Sequence, residues 1–187
     1  MILLTTSRRP TRSIRTFCKD LSHTIPNIIR INRGKLSLEG LAAKALELNA
    51  EKVVVINRWK GGPGKIELYL LNETGLCLTS PLIYLRGVKL RREFGNMPRG
   101  RRIKFMAMLT SPKCLEEVSK LEKTLSMFFN VPIIRAIDEC KTLDAVMQVT
   151  ASQTKELTVT FRLLPENIEI GPRMRISHLI WDLTHES

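Results

Sequence analysis

The chain has 187 residues, 30 basic and 18 acidic side chains, a net charge of +12 and 43% hydrophobic residues. That length suits one domain burying roughly 70% of its unfolded surface, and the mixture excludes a wholly disordered chain. A field of this sign draws in polyanions or anionic membrane surfaces before any specific contact forms.

Residues 3 to 6 (Leu3, Leu4, Thr5, Thr6) read as a first strand closed by Ser7. Ile14, Phe17 and Leu21 follow at spacings of 3 and 4, which means a helix, and Ser7 with Pro10 predicts that it begins at the serine. Pro26-Asn27-Ile28-Ile29-Arg30 is a short strand entered through a proline turn. Leu38, Leu41, Ala42, Ala45 and Leu48 predict a second amphipathic helix over Ser37 to Asn49. Val53 to Ile56 and Glu67 to Leu71 then form a hairpin turning at Lys60-Gly61-Gly62-Pro63-Gly64-Lys65, and Leu82 to Leu85 supplies a further strand.

Residues 86 to 102 hold four helix-breaking residues, seven basic ones and a single acid, a composition suited to an exposed connector. Beyond it the pattern repeats. Ala107-Met108-Leu109-Thr110-Ser111 echoes the opening at an offset of 104, Val118, Leu121 and Leu125 echo the first helix, and Val131-Pro132-Ile133-Ile134-Arg135 echoes the proline-entered strand. Ser111 with Pro112 predicts the helix start. The offset falls to 93 at Val146 to Val149 and Thr160 to Leu164, so the second copy should lack or shorten the second helix. A hairpin near Ala151 to Glu156 completes it. The expected fold is α/β, a single domain of two pseudo-repeated halves of mixed sheet with packed helices, 1–85 and 103–187, joined by the basic connector 86–102.

Cys18, Cys77, Cys114 and Cys140 are 59, 37 and 26 residues apart, which matches no zinc or redox motif, so they read as free thiols. Met1 to Thr6 is too short for a signal peptide and no apolar run reaches the ~18 residues of a membrane span, which predicts a cytoplasmic protein with no membrane partner. His23, His178 and His185 have no ligand-spaced companion and read as structural. No nucleophile elbow or metalloprotease signature is present, and the Gly61–Lys65 loop has Trp59 and Ile66 where a phosphate loop needs glycine and a hydroxyl. No enzyme activity and no cofactor are expected.

Charge distinguishes the two copies. Residues 1 to 102 carry +13 and residues 103 to 187 carry −1. On the first helix Arg8, Arg12, Arg15 and Lys19 step by 4, 3 and 4, within about 60° of one another and opposite the apolar face. At the same offset the second helix has Pro112, Glu116, Ser119 and Lys123, so the architecture does not demand the stripe. Arg8, Arg9 and Arg12 near a helix start oppose its dipole, and an anion would reverse that penalty. Ser7 to Arg9 are accordingly the first candidates for a phosphate contact. Arg30 and Arg33 follow a strand where Gly34 allows a turn, and can fork onto phosphate or a guanine edge; salt bridges are the alternative. Lys60 and Lys65 flank the glycine turn beside Trp59, which could stack a base or anchor the core. Arg86, Lys89, Arg91, Arg92, Arg99, Arg101 and Arg102 of the connector either contact RNA or keep a linker soluble.

Together, Ile2-Leu3-Leu4-Thr5-Thr6-Ser7-Arg8-Arg9-Pro10-Thr11, Phe17, Pro26-Asn27 and Arg30-Ile31-Asn32-Arg33-Gly34 resemble the opening of the Brix domain. Ile170-Gly171-Pro172-Arg173-Met174-Arg175-Ile176 resembles its closing segment. The likeness is to a short, archaeal form, and the start is most similar to the small-subunit processome branch. It implies a ribosome biogenesis factor that binds ribosomal RNA or its precursor during rRNA processing, with a guide RNA and ribosome-assembly proteins as further partners. It also implies halves similar to the anticodon-binding domain of class IIa aminoacyl-tRNA synthetases. The matched motif covers Thr6, Ser7, Arg8, Pro10, Arg30, Asn32, Arg33, Gly34, Gly171, Pro172 and Arg173, which adds Arg173 to the candidate RNA-binding residues. A tRNA-binding accessory unit of a synthetase and a basic protein-docking module remain the alternatives.

Overall fold

A computed structural model of the chain describes residues 1–59, 62–95, 101–111, 115–139 and 142–184. In chain order the elements are β1 (Ile2–Thr6), α1 (Arg12–Thr24), β2 (Ile28–Arg30), α2 (Leu38–Glu47), β3 (Lys52–Trp59), β4 (Gly62–Asn72), β5 (Gly75–Lys89), β6 (Met106–Leu109), α3 (Glu116–Phe129), β7 (Ile133–Ile134), β8 (Ala145–Ala151), β9 (Leu157–Leu163), β10 (Ile168–Glu169) and β11 (Arg173–Ile180). The protein is thus α/β, with three α-helices and mixed sheet among the described residues. No helix among the described residues is long and apolar enough to cross a membrane.

These elements group into two compact units. The first comprises Met1–Ser22, Asn27–Gly87 and the chain from Ser177 on; the second comprises His23–Pro26 and Val88–Ile176. The first unit thus extends to Gly87 and takes up the chain again at Ser177, within β11. Met174 to Ile176 pair with β9, whereas Ser177 donates its hydroxyl to the Tyr84 carbonyl at 3.2 Å. The described part of the expected connector is also structured: β5 runs to Lys89 and residues 91–93 form a 3₁₀ turn beneath buried Leu90.

In the first unit β1 lies between β2 and β3, parallel to both, and β4 and β5 continue antiparallel from β3. Leu41 and Ala45 of α2 pack on the face of Leu3, Val53, Val55 and Tyr69. Alternation gives the other face to Ile2, Leu4, Thr6, Val54 and Ile56, all buried. Ser37 caps α2 by accepting from the Gly40 amide at 3.0 Å. The strand expected at Leu82 to Leu85 is the inner part of a much longer β5, which doubles back from β4 at Asn72 to Gly75. Gly75 adopts φ +118 there, so the glycine is the turn signal.

In the second unit β6 lies between β7 and β8, parallel to both, and β9 follows antiparallel from β8. Between β7 and β8 the described residues contain only a 3₁₀ turn at Ile137–Glu139 where the first unit has α2.

Both helix starts need correction. The first helix begins at Arg12, not Ser7: Thr11 Oγ1 accepts from the Ile14 amide at 3.4 Å, and the Ser7 amide is spent on the Ile56 carbonyl at 2.9 Å. The pairing of β1 with β3 therefore extends past Thr6 and delays the helix. In the second unit α3 starts after Leu115, with no side-chain cap, rather than at Ser111; Pro112 lies outside the described residues.

Candidate nucleic-acid interface

The first unit's chain starts in β1, crosses by α1 to β2 on one side and then by α2 to β3 on the other. Such a reversal leaves a crevice beyond the carboxyl ends of the parallel strands, where open α/β sheets bind ligands. A cavity of about 260 Å³ lies there, lined by Thr6, Arg8, Pro10, Arg15, Cys18, Arg30, Ile31, Asn32, Arg33 and Gly34. Each element contributes for a local reason. Thr6 ends β1, Arg8 and Pro10 stand in the loop the delayed helix creates, Arg15 and Cys18 are one turn apart on α1, and Arg30 ends β2. Gly34, at φ +55, turns the chain so that Arg33 faces inward.

Among the described residues, four guanidinium groups and no carboxylate line this cavity. Among the described residues Arg8, Arg15 and Arg30 are exposed and form no ion pair. Arg33 is only 8% exposed and donates from Nε to the Leu36 carbonyl at 2.8 Å, which fixes its plane. Burial, and then the charge of Arg8, lower its pKa, while Tyr69 and Glu67 pull the other way. The Arg8 and Arg33 charges therefore repel across a partly dehydrated space, a cost that a bound anion removes. Burial also pushes the Cys18 thiol up to about 12, against the pull of Arg30, so it lines the cavity as a neutral, unreactive wall.

The expected helical stripe is divided by this geometry. Arg8 reaches the cavity from the loop and Arg15 from the helix, whereas Arg12 and Lys19 are exposed on α1 outside the lining. Arg9 is exposed in the loop. Ser7 cannot offer its amide to phosphate, because that group is already bonded, and its hydroxyl is buried without a partner among the described residues. Arg30 and Arg33, five and two residues ahead of the helix-entry loop at Lys35, join Arg8 and Arg15 only through the fold.

Other candidates are already engaged. Lys65 pairs with Glu67 at 2.7 Å and sits 5.8 Å from the Tyr84 ring centroid. Arg91 donates to Thr24 Oγ1 at 3.1 Å, and Arg101 binds both Glu166 and the Leu164 carbonyl at 2.7 Å. Arg173 forks onto Glu169 and lies 5.7 Å from the Phe94 ring centroid. Arg92 and Arg102 are exposed. Lys60 and Arg99 lie outside the described residues, as does the side chain of Trp59. Cys18 is not legible as a lining residue, since a cysteine in step with Ile14 and Leu21 reads as core.

The second unit has an acid at the corresponding level. Thr110, just beyond β6, donates to Glu122 Oε2 of α3 at 2.5 Å. Glu122 is 2% exposed, its Oε1 has no partner among the described residues, and burial raises its pKa.

No family model matches the chain. It is 41% identical over 95 residues to a probable Brix domain-containing ribosomal biogenesis protein of Pyrococcus horikoshii, covering 51% of this chain and 42% of that one. A protein of the same description from Aeropyrum pernix is 41% identical over 90 residues, 48% of this chain and 50% of that one. The crystal structure of a probable ribosomal biogenesis protein from Aeropyrum pernix superposes with a TM-score of 0.79 over 96% of this chain and 98% of that one, at 27% identity. The likeness is to the archaeal Brix-domain ribosomal biogenesis proteins. The crystal structure of an archaeal Imp4-like protein has the same fold, with a TM-score of 0.66 and 20% identity over 96% of this chain and 99% of that one. The aligned sequence spans about half the length of the curated relatives it matches.

Proposed function

We propose that this protein is a ribosome biogenesis factor that binds precursor ribosomal RNA through phosphate contacts at the arginine-lined cavity of its first unit. The carrying observation is that Arg8, Arg15 and Arg30 converge with Arg33 on one cavity without a neutralising carboxylate in its lining. Guanidinium groups fork onto phosphate oxygens, and the backbone charge of RNA supplies most of the affinity at such sites. The similarity to Brix-domain ribosomal biogenesis proteins supports the choice of ribosomal RNA over other polyanions.

The finer reading is a duplicated frame, each copy like a synthetase anticodon-binding domain, with the anion site kept in the first copy alone. Its support is the shared order of two parallel pairings and one antiparallel pairing in the two units. Binding alone suffices for this role: the protein holds RNA for processing in the cytoplasm, alongside a guide RNA and assembly proteins of the small-subunit processome type. Arg9, Arg12 and Lys19 extend the basic surface beside the cavity.

The test is binding of a precursor rRNA fragment by Arg8→Gln, Arg15→Gln and Arg30→Gln combined, with Lys123→Gln as control. The triple variant should bind weakly, and its dependence on log salt should be shallower by about 2, from ~0.7 per single-stranded phosphate contact. Equal behaviour of the two variants refutes the site. A cellular crosslink map on tRNA would move the reading to a synthetase accessory unit, and recovery of no RNA would move it to protein docking.

A further inference from the structure

Strand pairing sets Lys65 of β4 opposite Tyr84 of β5, so both side chains leave the same face of the first unit. On the next strand, β11, the ring of His178 stacks on Tyr84 with centroids 4.3 Å apart and planes 11° from parallel. Ser177 Oγ lies 2.9 Å from His178 Nδ1 and donates to the Tyr84 carbonyl, so the imidazole is held both in the stack and at its edge. Tyr84 is 6% exposed, with the His178 ring stacked on it and Lys65 Nζ 5.8 Å from its centroid. His178 itself is exposed, and the pairing of β11 with β9 covers Met174 to Ile176 without reaching it. One flat ring face is therefore fixed in orientation and left open.

We infer that His178, backed by Tyr84, is a stacking platform for an unpaired RNA base, a second contact distinct from the arginine cavity. A preset, rigid aromatic face receives a base at little entropic cost, and stacking tolerates any base because each has a π face. Exposed Arg86, two residues beyond Tyr84 on β5, gives the same region a phosphate partner. The order β1, β3, β4, β5, β11 puts four strand spacings between the cavity and the platform, roughly 19 Å at ~4.8 Å per spacing. A short single strand crosses that span with its backbone at one site and a base at the other.

This inference rests on the RNA reading of the cavity, and the test separates the two. The full chain is titrated with a single-stranded oligoribonucleotide carrying 2-aminopurine at successive positions, for the wild type, His178→Ala, His178→Phe and Arg30→Gln, with thermal melting of each. Stacking predicts quenching at one position in the wild type. His178→Ala should lose that quenching and bind about 5- to 150-fold more weakly, the effect of losing one base–aromatic stack. His178→Phe should restore both, and all melting temperatures should stay close to the wild type. If His178→Ala binds and quenches like the wild type while Arg30→Gln loses affinity, the platform is refuted and the cavity stands. If the wild type binds no RNA, both fall.

Discussion

Replacing Gly171 by alanine probes the packing of the closing Gly171-Pro172-Arg173 segment, in which the sequence offers Arg173 as an RNA contact. A Cβ built on Gly171 would lie 2.5 Å from Phe94 Cε2 and 2.9 Å from Cδ2, closer than atoms tolerate. Making room means moving the half-buried ring, which has Lys89 Nζ 4.5 Å and the Arg173 guanidinium 5.7 Å from its centroid. The backbone is held as well, because buried Thr24 donates to the Gly171 carbonyl at 3.0 Å and in turn accepts from Arg91. Gly171 also sits at φ +59, where a side chain costs about 1–2 kcal/mol. Overpacking adds about 1–3 kcal/mol, so Gly171→Ala should lose about 2–5 kcal/mol. Gly34→Ala is the matched control: its φ is +55 but nothing lies within 4 Å of the new Cβ, leaving only the backbone cost of about 1–2 kcal/mol. Urea denaturation of the two variants measures the difference. If Gly171→Ala is no less stable than Gly34→Ala, the packing account of this segment is wrong.

Glu122→Gln should stabilise the protein relative to wild type more at pH 7 than at pH 4. Burial raises the folded pKa of Glu122, so the stability its protonated form contributes is complete below the unfolded value and is lost as pH rises through the folded one. Urea titrations at the two pH values check the sign, and an equal difference at both would sink the assignment. Ser37→Ala should cost about 1 kcal/mol by removing the cap of α2, with hydrogen exchange rising first at the Gly40 amide. Under native labelling with an alkylating reagent, exposed Cys77 should react well before Cys18, whose thiol is buried and pushed up to about 12; mass mapping that finds Cys18 labelled first would contradict its place in the wall.

Periodicity and turn chemistry act over a few residues, so the features they govern are legible in the amino-acid order itself. Leu41, Ala42 and Ala45 place α2 with Ser37 at its start, and the polar run after Ala151 marks the turn into β9. Local rules misplace the start of α1 because Ser7 is claimed by Ile56, a strand partner 49 residues away. They also miss most of β5, whose half-exposed outer stretch alternates too weakly to stand out from the turn before it.

The sequence by itself determined that the positive charge belongs to the first 102 residues and that arginines follow the ends of two early strands. Which of those charges meets a carboxylate among the described residues was decided by tertiary structure alone. Arg101 finds Glu166 across 65 residues and Arg173 finds Glu169 and Phe94, whereas Arg8, Arg15 and Arg30 meet at a switch-point cavity with no acid among the described residues that line it. The physical reason is that a charge's availability depends on what lies within a few ångströms of it, and strand order, not chain order, sets that neighbourhood.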